Sequence, residues 1–413
     1  MVKFKWEKEF KETPIGKIPK DWEVKEVGEI IRVVKNRIEP SKTPNEIFEL
    51  YSIPSYLENG QPEIVLGKSV KSSKYLIKPQ TILYGRLNPQ DPKVWFVNKE
   101  SEYKQITSTE FFPLKLKGKD SLLFIYYLLQ TEFIRDMAEA FSTGTTPSRT
   151  RLSEHDFLRF KIPYPSPDEQ QRIATVLSWF DDLIENKRRQ NEILEKTAMA
   201  IFKSWFIDFE PFQDEEFVYS EELDMEIPKG WEVGKLVEIG EIIMGQSPPS
   251  KAYNLEGDGY PFVQGMGQFG LYVPNTDTYS KVVTKLSKPY DVLITVRAPI
   301  GELNIADRCY ILGRGVSAIR SEFWPFVYLY LKVFNELLKA YERGTTFEAI
   351  TKSELENFPI LIPPKPILEK FHSLVEPLFR KIIINEKEIM VLKKARDTLL
   401  PQLVFGRLRV VEL

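Results

Sequence analysis

The sequence predicts an α+β fold: two mixed α/β globes alternate with two long antiparallel helices under an internal pseudo-two-fold. Three observations predict it. The string Ile18-Pro19-Lys20-Asp21-Trp22-Glu23-Val24 returns as Ile227-Pro228-Lys229-Gly230-Trp231-Glu232-Val233. Each copy then runs through a Gly-Thr-Thr (144–146 and 344–346) to an Ile-Pro (162–163 and 362–363). Each Ile-Pro opens a long stretch of helical apolar spacing. A repeat of this length can hold its own core, so it is a duplicated domain and not a solenoid module. Such an object suits a target that is itself two-fold, or two copies of one partner. The predicted boundaries are a first globe over 1–165, a long helix over 166–212, a second globe over 213–364 and a second long helix over 365–413.

In the first globe, β-branched and aromatic runs such as Thr81-Ile82-Leu83-Tyr84 and Val94-Trp95-Phe96-Val97 sit between Pro, Gly and Asn turn signals and read as strands. The stretch Ser121 to Leu129 reads as a buried helix leading to Phe141. The second globe matches, with a strand over Tyr290–Val296 and a helix over Phe326–Tyr341.

The first long helix begins at a capping box, with Ser166 as N-cap, Pro167 at the first helical position and Glu169 at the third. From there Ile173, Leu177, Phe180, Ile184, Lys187, Asn191, Leu194, Ala198, Ile201 and Trp205 follow a 4-3 spacing. In the second copy Phe371, Val375, Leu378, Ile382, Asn385, Ile389, Leu392, Arg396, Leu399 and Leu403 do the same. Each helix is then about 50 Å long. A stripe that long needs a partner helix, and the repeat supplies it. Because each helix follows its globe in the same order, a two-fold makes the pair antiparallel and a spacer of fixed length. Asn186 and Asn385 stand at equivalent places, where they either fix the register as buried polar residues do in coiled coils or face solvent.

Composition bounds the function. Hydrophobic residues are 42% and charged residues 28% of the chain, which fits a globular protein with ample core. No apolar run reaches the roughly 20 residues that span a bilayer, and Met1–Lys8 carries no signal-peptide apolar region. Cys309 is the only cysteine, so a disulfide framework and a cysteine zinc site are both excluded and a reduced cytoplasmic setting is expected. With His155 and His372 the only histidines, metal and histidine acid–base chemistry lose most of their candidates. The net charge of −2 argues against a protein that coats nucleic acid non-specifically, but not against local basic patches.

Several catalytic-looking strings fail on context. Gly265-Met266-Gly267-Gln268-Phe269-Gly270 spells G-x-G-x-x-G after a plausible strand, Tyr260–Val263, yet the extended Leu271-Tyr272-Val273-Pro274-Asn275 follows where a dinucleotide fingerprint must open a helix. A glycine-rich loop pressed against a partner is the better reading. Pro167-Asp168 with Glu185-Asn186-Lys187 imitates a metal nuclease, but these groups lie roughly 25 Å apart along one helix. Asn88-Pro89-Gln90-Asp91 and Pro363-Pro364-Lys365-Pro366 are the nearest strings to an amino-methyltransferase loop, and neither fits. No complete Gly-x-x-x-x-Gly-Lys-Ser/Thr phosphate loop is present. The chain reads as having no chemistry of its own, with no catalytic residues and no metal ligands.

Polar and basic loops remain. In the second globe, Gly245–Lys251 offers Gln246, Ser247, Ser250 and Lys251 for phosphate and base-edge contacts. Val296-Arg297-Ala298-Pro299-Ile300-Gly301 ends a strand on an arginine, the side chain best shaped for guanine or phosphate. Gly313-Arg314-Gly315 sets another between glycines. In the first globe, Tyr84–Pro89 takes the place of Val296–Gly301 and offers Arg86 and Asn88. Gly67–Lys74 is a basic, hydroxyl-rich stretch with Lys68, Lys71, Ser72, Ser73 and Lys74.

Architecture and strings together resemble the specificity subunit of type I restriction–modification systems. The matching features are the paired Ile-Pro-x-x-Trp-Glu-Val openings, Gly-Gln-Ser-Pro-Pro-Ser, Arg-Ala-Pro-Ile-Gly, Gly-Arg-Gly and the Ile-Pro that leads into each long helix. Nearly the whole chain is covered. Single motifs are short, but their duplicated order is specific.

The resemblance implies that the globes are target-recognition domains, each reading one half of a split duplex DNA site, and that helix length sets the gap. It implies two methylation subunits and, in the full complex, restriction subunits. These partners would bring S-adenosylmethionine, ATP and Mg, leaving no cofactor in this chain. Two departures matter. The second helix, from Pro364-Lys365-Pro366, lacks the Ser/Glu capping box of the first. The globes also diverge strongly from one another, which implies unlike half-sites and an asymmetric target. The competing readings are a self-contained methyltransferase or nuclease with drifted motifs, and a two-fold adaptor that touches no DNA.

Overall fold

The computed structural model describes residues 2–58, 60–142, 150–221, 223, 225–344 and 349–412, with the backbone alone over 340–344. Apart from Gly344, the Gly-Thr-Thr strings lie outside the described residues. The chain divides into two compact units, residues 1–183 with 392–413, and residues 184–391. Each unit takes one globe with part of both long helices.

In the first unit the central strand Thr81–Gly85 is buried along its whole length, as a continuous apolar run requires. It pairs antiparallel with Val94–Val97 on one side and Phe111–Leu116 on the other, and Ile31–Val33 completes the sheet. The helix Leu122–Leu128 packs Phe124, Ile125 and Leu128 into one core with Ile82, Tyr84, Phe112 and Leu114. It does not run on towards Phe141. Thr131 is extended, its hydroxyl donates to the Leu128 carbonyl at 2.7 Å, and a second helix, Glu132–Ala140, begins after it. A further sheet of five strands places Lys104–Thr107 parallel to Ile47–Tyr51.

The second unit repeats the four-stranded sheet strand for strand. Leu303–Ile305, Val292–Thr295, Val316–Arg320 and Glu241–Met244 stand in the same order as their counterparts. The strand expected over Tyr290–Val296 is shorter at its start because Asp291 turns inward, accepting the Lys288 amide at 2.7 Å and the Arg320 guanidinium at 2.9 Å. The expected helix over Phe326–Tyr341 is two, Trp324–Val333 and Asn335–Gly344.

The repeated strings close each globe. Glu23–Glu26 pairs with Lys161–Tyr164, setting Val24 opposite Pro163, and Glu232–Lys235 pairs with Pro359–Ile362, setting Glu232 opposite Ile362. The opening string and the Ile-Pro string are therefore partner strands. In the first unit Lys3–Trp6 also pairs antiparallel with Leu408–Glu412.

The long helices are Pro167–Phe206 and Lys365–Val404. At 40 residues each runs about 60 Å, longer than the spacing alone suggested. Ser166 caps the first, its hydroxyl accepting the Glu169 amide at 3.4 Å. Glu169 does not reach back to complete the capping box. It is buried and accepts Trp22 Nε1 at 3.0 Å and Arg409 Nη2 at 2.7 Å. The sequence alone did not reveal this use of the opening string's tryptophan.

The apolar arc is wider than one stripe. Ile173, Leu177, Ile184, Ile382 and Ile389 are buried, while Phe180, Leu194, Ile201, Leu378, Leu392 and Leu399 are half-buried. Ala174, Val176, Phe202, Phe206, Phe371 and Phe379 are buried beside them, because each helix packs against a globe as well as against its partner. Of its two readings, Asn186 takes the solvent-facing one and does not fix the register. It is exposed, accepting the side-chain amide of Gln190 at 2.8 Å along the helix surface. The buried partner of Asn385 is Asn191, whose Oδ1 accepts Asn385 Nδ2 at 2.8 Å, and Asn191 Nδ2 donates to Glu386 at 2.7 Å.

Candidate nucleic-acid interface

Matching strand orders allow the loops of the two globes to be compared bond by bond. In the first, the Arg86 amide donates to Glu110 O at 2.9 Å and the Leu152 amide to Arg86 O at 2.9 Å. In the second, the Val296 amide donates to Gly315 O at 2.9 Å and the Ile350 amide to Val296 O at 2.9 Å. Arg86 thus stands where Val296 stands and Glu110 where Gly315 stands. Leu87, bridged to Arg151, takes the place of Arg297, bridged to Ala349. The expected match of Tyr84–Pro89 to Val296–Gly301 is displaced by two residues.

In the second globe, loops from the same end of the sheet converge. The amide of Gly245 donates to Val316 O at 3.0 Å, that of Gln246 to Leu312 O at 2.8 Å, and that of Gly313 to Val263 O at 2.7 Å. Small residues permit this approach: a Cβ on Gly245 would collide with the Gly313 carbonyl, and one on Gly313 would lie 2.7 Å from Gln264 Cα. Ser247 Oγ accepts the Arg314 amide at 3.1 Å. Because Val296 bonds to Gly315, Arg297 is brought to the same edge. Arg297 and Arg314 are exposed, and among the described residues neither guanidinium has a hydrogen-bond or ion-pair partner. Gln246, Ser247, Arg297 and Arg314 therefore form one cluster. Ser250 and Lys251 follow on an exposed 3-10 turn, Ser250–Ala252.

The G-x-G-x-x-G string opens no long helix. Met266–Gln268 makes a single 3-10 turn, and the Gln268 side chain folds back to accept the Gly265 amide at 3.2 Å.

In the first globe the same place holds different residues. Arg86 is half-buried with its guanidinium carbon 5.2 Å from the centre of the Phe112 ring. Asn88 adopts a left-handed backbone (φ 50°), a conformation asparagine tolerates better than most residues, and its amide donates to Thr150 O at 3.0 Å. Glu110 Oε1 accepts Arg151 Nη2 at 2.8 Å. Glu110 and Arg151 escape notice in the sequence. Glu110 reads as the flank of an apolar strand, and only the pairing shows that it faces Arg86.

Lys68, Lys71 and Ser72 are exposed, and Ser73 and Lys74 half-buried. Their stretch is held elsewhere, by strand pairing of Lys74 with Ile38 and by packing of Gly67 on Thr43. No described contact joins it to Arg86 or Asn88. Lys74 Nζ donates to Ser72 Oγ at 2.5 Å, and burial lowers its pKa below the ordinary lysine value.

No helix among the described residues is long and apolar enough to cross a membrane, and no group of three His, Cys, Asp or Glu that could hold a metal occurs among them.

The model of the type I restriction modification DNA specificity domain matches residues 19–196 and again 228–394. The chain is 41% identical over 441 residues to the type I restriction enzyme MjaIX specificity subunit of Methanocaldococcus jannaschii, covering 100% of this chain and 99% of that one. It is 25% identical to the type I restriction enzyme HindI specificity subunit of Haemophilus influenzae, covering 94% and 100%. The fold is similar to the crystal structure of a type I restriction–modification S subunit from M. genitalium, with a TM-score of 0.61 at 18% identity over 95% of this chain and 99% of that one. The duplicated match, falling on two globes with one strand order, places the chain in the type I restriction–modification DNA specificity family, as a subunit that recognises DNA sequence.

Proposed function

We propose that the chain reads a bipartite, asymmetric duplex site, one half-site per globe, with the interval set by the long helices. One observation carries this reading: the same strand-end loops exist in both globes and present different polar side chains, Arg86, Asn88 and Glu110 in one against Gln246, Ser247, Arg297 and Arg314 in the other. A shared scaffold with unlike tips suits two unlike half-sites. Arg297 and Arg314, without a hydrogen-bond or ion-pair partner among the described residues, are poised for guanine or phosphate, and each good bidentate base contact is worth about 1–3 kcal/mol against a wrong base.

The chain acts as a non-catalytic component. Two methylation subunits, and restriction subunits in the full complex, supply S-adenosylmethionine chemistry and ATP- and Mg-dependent cleavage in the cytoplasm. Methylation subunits also add non-specific affinity, which a chain of net charge −2 lacks.

Methylome sequencing of a host expressing the chain with its methylation partner tests this directly, because the methylated motif displays both half-sites and the gap. Arg297→Ala should relax the second globe's half-site and leave the other intact. Equal loss on both halves, or no change, would refute the assignment. S-adenosylmethionine binding by the isolated chain would favour a self-contained enzyme. Absence of duplex binding with the partner present would favour an adaptor.

A further inference from the structure

The G-x-G-x-x-G string of the second globe lies beside the cluster of Gln246, Ser247, Arg297 and Arg314. The strand before it, Tyr260–Val263, pairs in parallel with Ile311–Leu312, setting Phe262 opposite Ile311 and Val263 opposite Leu312. Parallel neighbours end on the same side, so the loops that follow them emerge together. Backbone bonds join those loops: the Gly313 amide donates to Val263 O at 2.7 Å and the Gly315 amide to Gln264 O at 3.2 Å. Gly315 O in turn accepts the Val296 amide at 2.9 Å. Its backbone therefore ties Gln264 on one side to the Arg297 segment on the other.

Two glutamines stand in this loop with opposite roles. Gln268 is half-buried and turns inward, its Oε1 accepting the Gln264 and Gly265 amides, each at 3.2 Å. Gln264 is exposed, and among the described residues its side-chain amide has no hydrogen-bond partner. Its backbone is nevertheless fixed by Gly315, by Gln268 and by Gly313, on which a Cβ would lie 2.7 Å from Gln264 Cα. A free amide on a fixed stem is a preorganised contact. The bare loop that follows has no internal cause. A Cβ on Gly265 or Gly267 would meet nothing within 4 Å, and neither residue takes a left-handed backbone. Glycines that the chain's own packing does not require leave room for a second molecule to come close.

The chemistry of the amide selects that molecule's contact. A phosphate offers acceptors only and would use just the NH2 half of a carboxamide. The major-groove edge of adenine sets the N7 acceptor beside the N6 donor and uses both halves at once. We infer that Gln264 is a specificity-determining residue of the second globe and reads an A·T pair through adenine N6 and N7. This rests on the half-site reading above and deepens it.

The test uses wild type, Gln264→Ala and Arg297→Ala, each co-expressed and purified with the methylation partner. Methylome sequencing gives the motif of each. Purified complexes are then competed with duplexes altered at each A·T pair of the second half-site, including an adenine analogue in which C–H replaces N7. Wild type should prefer A·T at one position by about tenfold or more, and the analogue there should cost it most of that preference. Gln264→Ala should be relaxed at that position only, indifferent to the analogue and sharp in the first half-site. It should also melt with wild type, because the side chain removed is exposed and unbonded. If Arg297→Ala relaxes the second half-site while Gln264→Ala leaves it unchanged, the Gln264 assignment is overturned and the half-site reading survives. If neither variant alters the motif, the half-site reading fails with it. Relaxation by Gln264→Ala at a pair that is not A·T, or one that the analogue does not reproduce in wild type, overturns the adenine assignment. A lowered melting temperature with a blur across the whole second half-site would give Gln264 a structural role and overturn the inference.

Discussion

Asn385 donates through Nδ2 to Asn191 Oδ1 at 2.8 Å, and both residues are fully buried between the two long helices. Amides in an apolar seam stabilise the register in which they meet, because a slip of one turn leaves each facing hydrocarbon. Asn385→Leu removes the donor to Asn191 Oδ1. The expected cost is about 1–3 kcal/mol, read as a lowered denaturant midpoint at unchanged slope. A double-mutant cycle with Asn191→Leu should show the two costs to be far from additive. Simple additivity would mean that the pair does not act as a unit.

A second polar centre secures the first unit. Arg409 reaches Glu7 at 2.7 Å, Asp21 at 2.9 Å and Glu169 at 2.7 Å, with its guanidinium 5.7 Å from the centre of the Trp22 ring. Arg409→Met strands the buried Glu169 carboxylate, so a loss of about 3 kcal/mol is expected in chemical denaturation. The pH dependence has a definite sign. The Glu9 amide, with the Lys8 amide and Arg409, holds the Glu7 pKa below the ordinary 4.5, against the opposing effect of burial. A lowered folded pKa means that the Glu7 contribution is full above the unfolded value and fades as pH falls through the folded one. The stability gap between wild type and Glu7→Gln should therefore be largest near neutrality and close on acidification below about pH 4.5. A gap that widens in acid would contradict the assignment.

What the sequence made legible follows from how local each signal is. The opening and Ile-Pro strings recur because they are partner strands closing each globe, and Trp22 further holds Glu169 at the start of a long helix. The 4-3 spacing shows where the helices are. It does not show which asparagine is buried, since Asn186 and Asn191 lie just over one turn apart and only the facing helix distinguishes them. The reading loops are half legible: Arg297 and Arg314 stand out between glycines and prolines. Their gathering at one edge depends on hydrogen bonds between distant segments. Glu110 is illegible for that reason, because its meaning comes from facing Arg86 across a strand pair.

Close approach of backbones at the second globe's loops gives a sharp prediction. Gly245→Ala drives a Cβ onto the Gly313 carbonyl and to 2.6 Å from Val316 O. The loop must move, at about 1–3 kcal/mol, and Gln246 and Ser247 move with it. The melting temperature should fall, and the methylated motif should become degenerate in the second globe's half alone. A variant that melts lower yet keeps both halves sharp would show that the reading residues lie elsewhere.

The spacer role can be tested by shortening both helices in step. Asn191 pairs with Asn385, and Lys187 with Glu388, so deleting 187–193 together with 383–389 removes both partners of each bond and orphans neither. The new junctions bring Ile184 and Leu194 to the 4-3 spacing that the apolar arc already uses, with the faces rotated by only ~20°. About two turns are lost from each helix, or ~10 Å. At ~3.4 Å per base pair the interval between half-sites should shrink by about three base pairs, with both half-sites unchanged. The methylated motif reads this directly. A folded, active variant whose motif keeps the original gap would refute the idea that helix length sets the interval.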